Sequence, residues 1–323
     1  MNGALRAVPD APMVALDGVT KRYRGIVAVS EVTCRFEAGV TAVLGPNGAG
    51  KSTVLRLACG LTRPSDGVVR IHGHDPREHP EVSRFVGVVP QHHRLLPRTT
   101  ALRFVELAGV LAGVDDPLIA ARASLEAVEL DPSDRRVTEQ YSNGMRQRVK
   151  IAQALVTGPS ILVIDEPLNG LDPRQRERMI DTFVELGRQG RCVVISSHVL
   201  DEVERFGSRV VVMNQGRLVA EGGVAAIREL MDDRPHHIRV GTDEPTHLAA
   251  AMLEGGWVTE ARIVHGGVEV ACSDVAGFAR SLAPLAVKLG AELTEVRPLD
   301  DDLESVFRYL TQDGRPAGHG ERT

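Results

Sequence analysis

Aromatic side chains are scarce in this chain: one Trp, three Tyr and seven Phe among 323 residues. Any core must therefore be packed from aliphatic side chains. The four cysteines (Cys34, Cys59, Cys192, Cys272) are scattered and form no C-x-x-C pair. They read as reduced core residues of a cytosolic protein. Positive charge is not in excess, since 38 Lys and Arg stand against 43 Asp and Glu for a net charge of −5. No basic stripe points to nucleic acid. No apolar run approaches the roughly 18 residues of a membrane-spanning helix. The most apolar long stretch, Ala101 to Val114, is broken by Arg103 and Glu106. The N-terminus lacks the basic start and long apolar core of a signal peptide. Residues 1–12 read as a flexible leader and 312–323 as a disordered tail. What remains, 43% hydrophobic and 25% charged, is ordinary for a soluble globular chain of one large domain or two.

Against that plain background one stretch stands out: Gly45-Pro46-Asn47-Gly48-Ala49-Gly50-Lys51-Ser52-Thr53. It satisfies G-x-x-x-x-G-K-[ST], the phosphate-binding loop. Apolar Val40, Ala42, Val43 and Leu44 precede it, and a helical pattern over Lys51 to Cys59 follows. That strand, loop and helix order is the context the motif requires. A triphosphate carries several negative charges and needs close backbone approach. The glycines let backbone N–H groups turn inward without a Cβ clash. The helix start adds its positive dipole end. Lys51 would meet the β/γ oxygens, and the Ser52 hydroxyl would hold magnesium.

Further along, Ile161 to Ile164 form a short apolar run that ends in Asp165-Glu166. This predicts a strand buried on both faces, with two carboxylates at its C-terminal end. Asp165 can hold magnesium, and Glu166 can orient and deprotonate an attacking water. A surface acidic pair is the plain alternative. Cys192 to Ile195 predict another buried strand, ending in Ser196-Ser197-His198. It sets His198 on the same sheet edge, able to hydrogen-bond a γ-phosphate, or simply to cap the next helix. Gln91 follows the strand-like Phe85 to Pro90. Its amide can reach the magnesium or its water. Tyr23 precedes the phosphate loop and can stack on adenine, or be only a half-exposed strand residue.

Tyr141-Ser142-Asn143-Gly144-Met145-Arg146-Gln147-Arg148 resembles the signature sequence of ABC-type ATPases, usually written LSGGQ. With Tyr23, the phosphate loop, Gln91, "ILVIDEP", "LNGLDP" and His198 the order is complete, and residues 13 to 230 resemble that family. The resemblance implies an α/β P-loop NTPase fold with a RecA-like core, an antiparallel β subdomain and a helical subdomain. It implies a homodimer in which ATP lies between the phosphate loop of one copy and the signature of the other. Ser142, Asn143 and Gly144 would then face the partner's ATP. Leu168 to Pro173 resemble the loop that crosses the seam, with Asp172 beside the opposite site. Asn143 and Met145 stand where the consensus has Gly and Gln. Asn tolerates left-handed backbone, so the turn can survive, while Met145 loses one amide hydrogen bond. The S-x-G-M-R form is similar to signatures of exporter ATPases that pair with separate small permeases.

After residue 231 the pattern changes. Asp232 to Pro235 read as a linker that separates an ATPase domain over 13–231 from an accessory domain over 235–311. Strands over 237–240, 258–264, 268–272 and 292–297 alternate with helices over 245–253 and 275–289. This βαββαβ order predicts a small ferredoxin-like α+β domain. Gly266-Gly267 signal a hairpin, and Pro284 should kink or split its helix. A last helix over 302–310, with Leu303, Val306, Phe307 and Leu310 on one stripe, resembles the end of drug and antibiotic-type exporter ATPases. The family reading is thus a motor that uses ATP and Mg2+ and drives a separate membrane permease. It would be cytoplasmic, peripheral on the inner face of the membrane, and would contact no nucleic acid. The segment His92 to Val114 would receive the permease. The alternatives are a soluble ABC ATPase acting on a ribosome or nucleic acid, and a C-terminal ligand sensor.

Overall fold

The computed structural model describes residues 8, 11–91, 94–206, 209–223 and 236–299. The chain divides into two compact units, Met1–Val224 and Ala225–Thr323.

The first unit opens with a hairpin of β1 (Val14–Tyr23) and β2 (Ile26–Phe36), turning at Arg24 and Gly25, both with positive φ. β3 (Gly39–Leu44) then leads into α1 (Lys51–Ala58). β4 (Asp66–Ile71) returns to pair with β1, completing an antiparallel sheet in the order β2-β1-β4. β5 (Val86–Val89), β6 (Ile161–Asp165), β7 (Cys192–Ser197), β8 (Arg209–Asn214) and β9 (Arg217–Gly223) join β3 in a second sheet. Its order is β5-β6-β7-β3-β8-β9, parallel except for β9. The apolar runs of β6 and β7 are buried throughout, apart from Asp165 at the end of β6. This is the behaviour of parallel strands covered on both faces. α1 packs between the two sheets. One cluster joins Leu16 and Phe36 of the antiparallel sheet, Val54 and Leu57 of α1, and Ile161 and Val194 of the parallel sheet.

Three helices, α2 (Ala101–Leu111), α3 (Pro117–Glu126) and α4 (Asn143–Leu155), pack together between β5 and β6. α5 (Pro173–Arg188) links β6 to β7, and α6 (Leu200–Phe206) links β7 to β8. Core, antiparallel sheet and helical layer are the three parts the family resemblance implied. All four cysteines are buried, and none forms a disulfide. Burial pushes the Cys34 and Cys192 thiols up to about 12, which keeps them unreactive.

The second unit contains β10 (His236–Thr242), α7 (Pro245–Glu254), β11 (Glu260–Val264), β12 (Gly267–Cys272), α8 (Val275–Leu289) and β13 (Leu293–Pro298). Its antiparallel sheet runs β11-β12-β10-β13. That order with two crossing helices is the ferredoxin-like sandwich. Val240, Val268, Leu248 and Phe278 build its core. A charged row crosses all four strands: Arg262 pairs with Glu269, Arg239 with Glu269 at 3.7 Å and Glu295 at 3.5 Å, and Arg297 with Glu295 at 3.1 Å.

Some expectations shift. Phe85 closes a short 3-10 turn (Pro80–Phe85) and β5 starts one residue later. β11 starts at Glu260, since residues 258 and 259 precede the strand. Pro284 does not split its helix. α8 runs unbroken through it, and both Pro284 and Arg280, whose carbonyl loses its helical donor, are on the exposed side. Water can satisfy that carbonyl. Within the expected leader, Val8 donates its N–H to His72 O at 3.1 Å. The linker at 232–235, the helix over 302–310 and the tail at 312–323 lie outside the described residues.

Candidate active site

Sheet order builds the site. β3, β7, β6 and β5 are successive parallel neighbours, so their C-terminal ends share one edge, where open α/β sheets bind ligands. β3 delivers the phosphate loop, β7 Ser196 to His198, β6 Asp165 and Glu166, and β5 Gln91.

In the phosphate loop two glycines are fixed by space. A Cβ on Gly45 would lie 2.6 Å from Met213 O. Gly50 combines φ +97° with Ala28 O 2.6 Å from where its Cβ would be. Only glycine fits either place. Lys51 folds back over the loop, and its Nζ donates to Gly45 O at 2.6 Å and Pro46 O at 3.3 Å. The same Nζ is 3.2 Å from Glu166 Oε1, with the two side chains only 6% and 7% exposed.

Glu166 is the centre of this arrangement. Its other oxygen, Oε2, is 2.7 Å from His198 Nδ1 and accepts from Asn169 Nδ2 at 3.3 Å. Its backbone is left-handed, φ 51°, an uncommon conformation for a side chain of this size. Ser196 holds it there: Glu166 N–H donates to Ser196 Oγ at 2.8 Å, and that hydroxyl donates to Asp165 Oδ1 at 2.6 Å. One buried hydroxyl thus fixes both carboxylate residues.

A cavity of about 520 Å3 is lined by Pro46, Lys51, Thr53, Gln91, Glu166 and Ile26 among others. Gln91 and Glu166 also line a second cavity of about 690 Å3, together with Asn143, Arg146, Lys150 and Asn169. Burial, and then the neighbouring Arg146, pull the Lys150 ammonium below its ordinary range. A third, smaller cavity of about 160 Å3 brings Ser52, Gln91 and Asp165 together. All three offer oxygen donors, the set a hard divalent cation takes.

Ser142 is the N-cap of α4 and accepts the Met145 N–H at 3.2 Å. Arg146 donates to Tyr141 O at 2.6 Å and pairs with the Asn143 side-chain oxygen. Tyr141 anchors the approach. Its ring is buried, and burial, followed by the nearby Asp134 charge, pushes its phenol up to about 12. Arg136 lies over that ring at 5.3 Å and pairs with Asp134 at 2.7 Å. Asp172 is the N-cap of α5, accepting the Gln175 N–H at 2.9 Å.

Residues 29–169 match the model of the ABC transporter family. The chain is 34% identical over 312 residues to the daunorubicin resistance ATP-binding protein DrrA3 of Streptomyces coeruleorubidus, covering 94% of this chain and 96% of that one. It is also 34% identical to the Nod factor export ATP-binding protein I of Cupriavidus pinatubonensis, over 65% of this chain and 66% of that one. Among solved structures, the dimeric bacterial ABC transporter cassette MJ0796 superposes with a TM-score of 0.59 at 30% identity, covering 66% of this chain and 99% of that one.

The chain belongs to the ABC transporter family. It is the ATP-binding, ATP-hydrolysing kind of subunit, and its first unit has the ABC ATPase fold. Within that ABC ATPase unit, one expectation is revised. Asn143 needs no left-handed tolerance: it is the first residue of α4 and has no positive φ, because Ser142 already caps the helix. Tyr23 does not line the phosphate cavity, whereas Ile26 and Val27 of the same hairpin do. The residue is 40% exposed, and Lys21 Nζ is 4.9 Å from its ring centroid. Two residues of the ABC site escaped sequence reading. The sequence marks Ser196 only as a strand end and Asn169 only as part of a loop. The available signal was that β6 and β7 both end in polar residues. The parallel register then sets Asp165 opposite Ser196.

Proposed function

We propose that this chain is the motor subunit of an ABC exporter, with residues 13–231 as motor and 235–311 as accessory module. It would bind ATP, dimerise head to tail and drive a separate integral-membrane permease. The carrying observation is the position of Glu166. Its carboxylate sits within hydrogen-bond or ion-pair reach of Lys51, His198 and Asn169 at the sheet edge that bears the phosphate loop.

Lys51 and the loop N–H groups would hold the phosphates, with α1 aimed at them. Glu166 would take the proton of the attacking water, and His198 would orient Glu166 and contact the γ-phosphate. Ser52, Gln91 and Asp165 would hold Mg2+, which when bound neutralises charge on the phosphate oxygens. Tyr23 would stack on adenine outside the phosphate cavity. Ser142, Asn143 and Gly144 would complete a partner's site, with Asp172 close by. A single motif set per chain supports a homodimer. Relatives named for drug resistance and for Nod factor export support export, with the permease selecting the cargo. Among the described residues no helix is long and apolar enough to cross a membrane. We place the chain on the inner face of the membrane, held through the permease by the helical layer that begins after Gln91.

Glu166→Gln tests the reading. It is expected to bind ATP, to slow hydrolysis roughly 10²- to 10⁴-fold, and to run as an ATP-dependent dimer in size exclusion. Lys51→Ala should weaken nucleotide binding and abolish turnover. Parent-rate hydrolysis by Glu166→Gln would remove that residue as the base. Co-purification with a polytopic membrane protein supports the exporter. Hydrolysis stimulated by RNA or DNA without membranes would favour a non-transport ATPase.

A further inference from the structure

The first turns of α4 and α5 meet at one residue. Asp172 caps α5 by accepting the N–H of Gln175 at 2.9 Å. The side chain of the same Gln175 lies over Gly144, in the first turn of α4. A Cβ placed on Gly144 would fall 2.6 Å from Gln175 Cδ and 3.2 Å from its Nε2. Gly144 is buried and Gln175 half-buried, so the amide packs in the space beside Gly144 and, as the far end of a flexible side chain, could move aside for a Cβ. Gly144 has no positive φ. Backbone conformation is therefore not what calls for glycine here.

We infer that Gln175 is a positioning residue. Within one chain its side chain ties the signature helix to the loop over 168–173. The inference rests on the proposed role of Ser142, Gly144 and Asp172 at a partner's nucleotide. Both helix starts leave N–H groups without intrahelical acceptors, and each is capped by its own polar side chain. Gln175 joins the two starts, because its backbone serves one cap and its side chain lies over the other helix. A shift of the loop over 168–173 is then passed to Ser142 and Gly144.

The test compares full-length parent, Gln175→Ala, Gly144→Ala and the double variant in steady-state ATP hydrolysis. Loss of the contact loosens the signature by a distance of order 1 Å, so Gln175→Ala should lower kcat roughly 10- to 100-fold. ATP affinity of the isolated chain should stay at the parent value, since its own phosphate loop is untouched. Gly144→Ala pushes the amide away and should cost a similar factor. The double variant should be no slower than the slower single variant, because both changes remove one contact. Gln175→Met, which keeps length and bulk, should restore most of kcat. Thermal midpoints of the Gln175 variants should match the parent, which a general packing defect would not allow. Parent-like kcat in Gln175→Ala, or losses that multiply in the double variant, would overturn the inference. Ser142→Arg separates the two levels. If it abolishes turnover while Gln175→Ala is parent-like, only this inference fails. If Ser142→Arg stays active, the shared site fails and the inference with it.

Discussion

Ser196 shows how much a single hydroxyl can decide. It accepts the Glu166 N–H and donates to Asp165, so it holds the candidate base in its left-handed conformation and orients the candidate metal ligand. Ser196→Ala is expected to lower kcat roughly 10- to 100-fold, the usual effect of losing a partner that orients a ligand, with KM for ATP close to the parent. Steady-state kinetics at saturating Mg2+ would read it. An unchanged kcat would mean that Glu166 is held by Lys51 and His198 alone. Lys51, Asp165, Glu166 and His198 could be read from the sequence because each follows a recognisable apolar strand or a glycine pattern. Ser196 and Asn169 could not. Their importance arises from a parallel register and a loop path joining residues far apart in sequence, and neither leaves a local pattern.

Elements were read more securely than their junctions. The phosphate-loop strand, α1, both buried strands and α8 fall where apolar periodicity put them. β5 and β11 start late because their first residues belong to a 3-10 turn or a connecting bend. The unsplit α8 is instructive, because sequence alone does not say which side of a helix a proline faces. Pro284 faces outward, and its cost is a missing hydrogen bond rather than a broken element. Pro284→Ala would restore an N–H for Arg280 O. We expect it to stabilise the second unit by up to about 3 kcal/mol, offset in part by greater freedom of the unfolded chain. Urea titration of the full chain, followed by a signal from Trp257 near that core, would measure it. A lower midpoint would show that the proline ring packs against something the helix needs.

At the scale of the molecule, His72 joins the antiparallel sheet to the parallel one. Its Nε2 is 2.8 Å from Ser160 Oγ, just ahead of β6, and its ring meets Phe85 edge-on at 5.0 Å. Burial, then the neighbouring His74, lowers its pKa. The sign follows directly. Below the ordinary histidine range, near about 6.5, the unfolded chain takes up a proton that folded His72 refuses. Its contribution is therefore present above that range and is lost as pH falls through the lower folded value. Between about pH 7 and pH 5, the parent's urea midpoint should fall more steeply than that of His72→Gln. Equal slopes would mean that other groups carry the acid sensitivity. No sequence pattern marks His72 for this role, because the contact unites two sheets that only the completed fold brings together.

The turn between β8 and β9 acts as a keystone. Gly216 donates its N–H to Ala49 O at 3.0 Å and accepts the Ser30 N–H at 2.8 Å, so a reverse turn remote from the motif in sequence clamps the glycine-rich loop to the hairpin beneath it. These clamps are made by backbone atoms alone, which makes the loop a rigid receptor whose shape is inherited from its neighbours. Changes of tightness for nucleotide can therefore originate in a segment that no motif search would flag, and a survey of affinity-altering substitutions should find them clustered around 215 and 216.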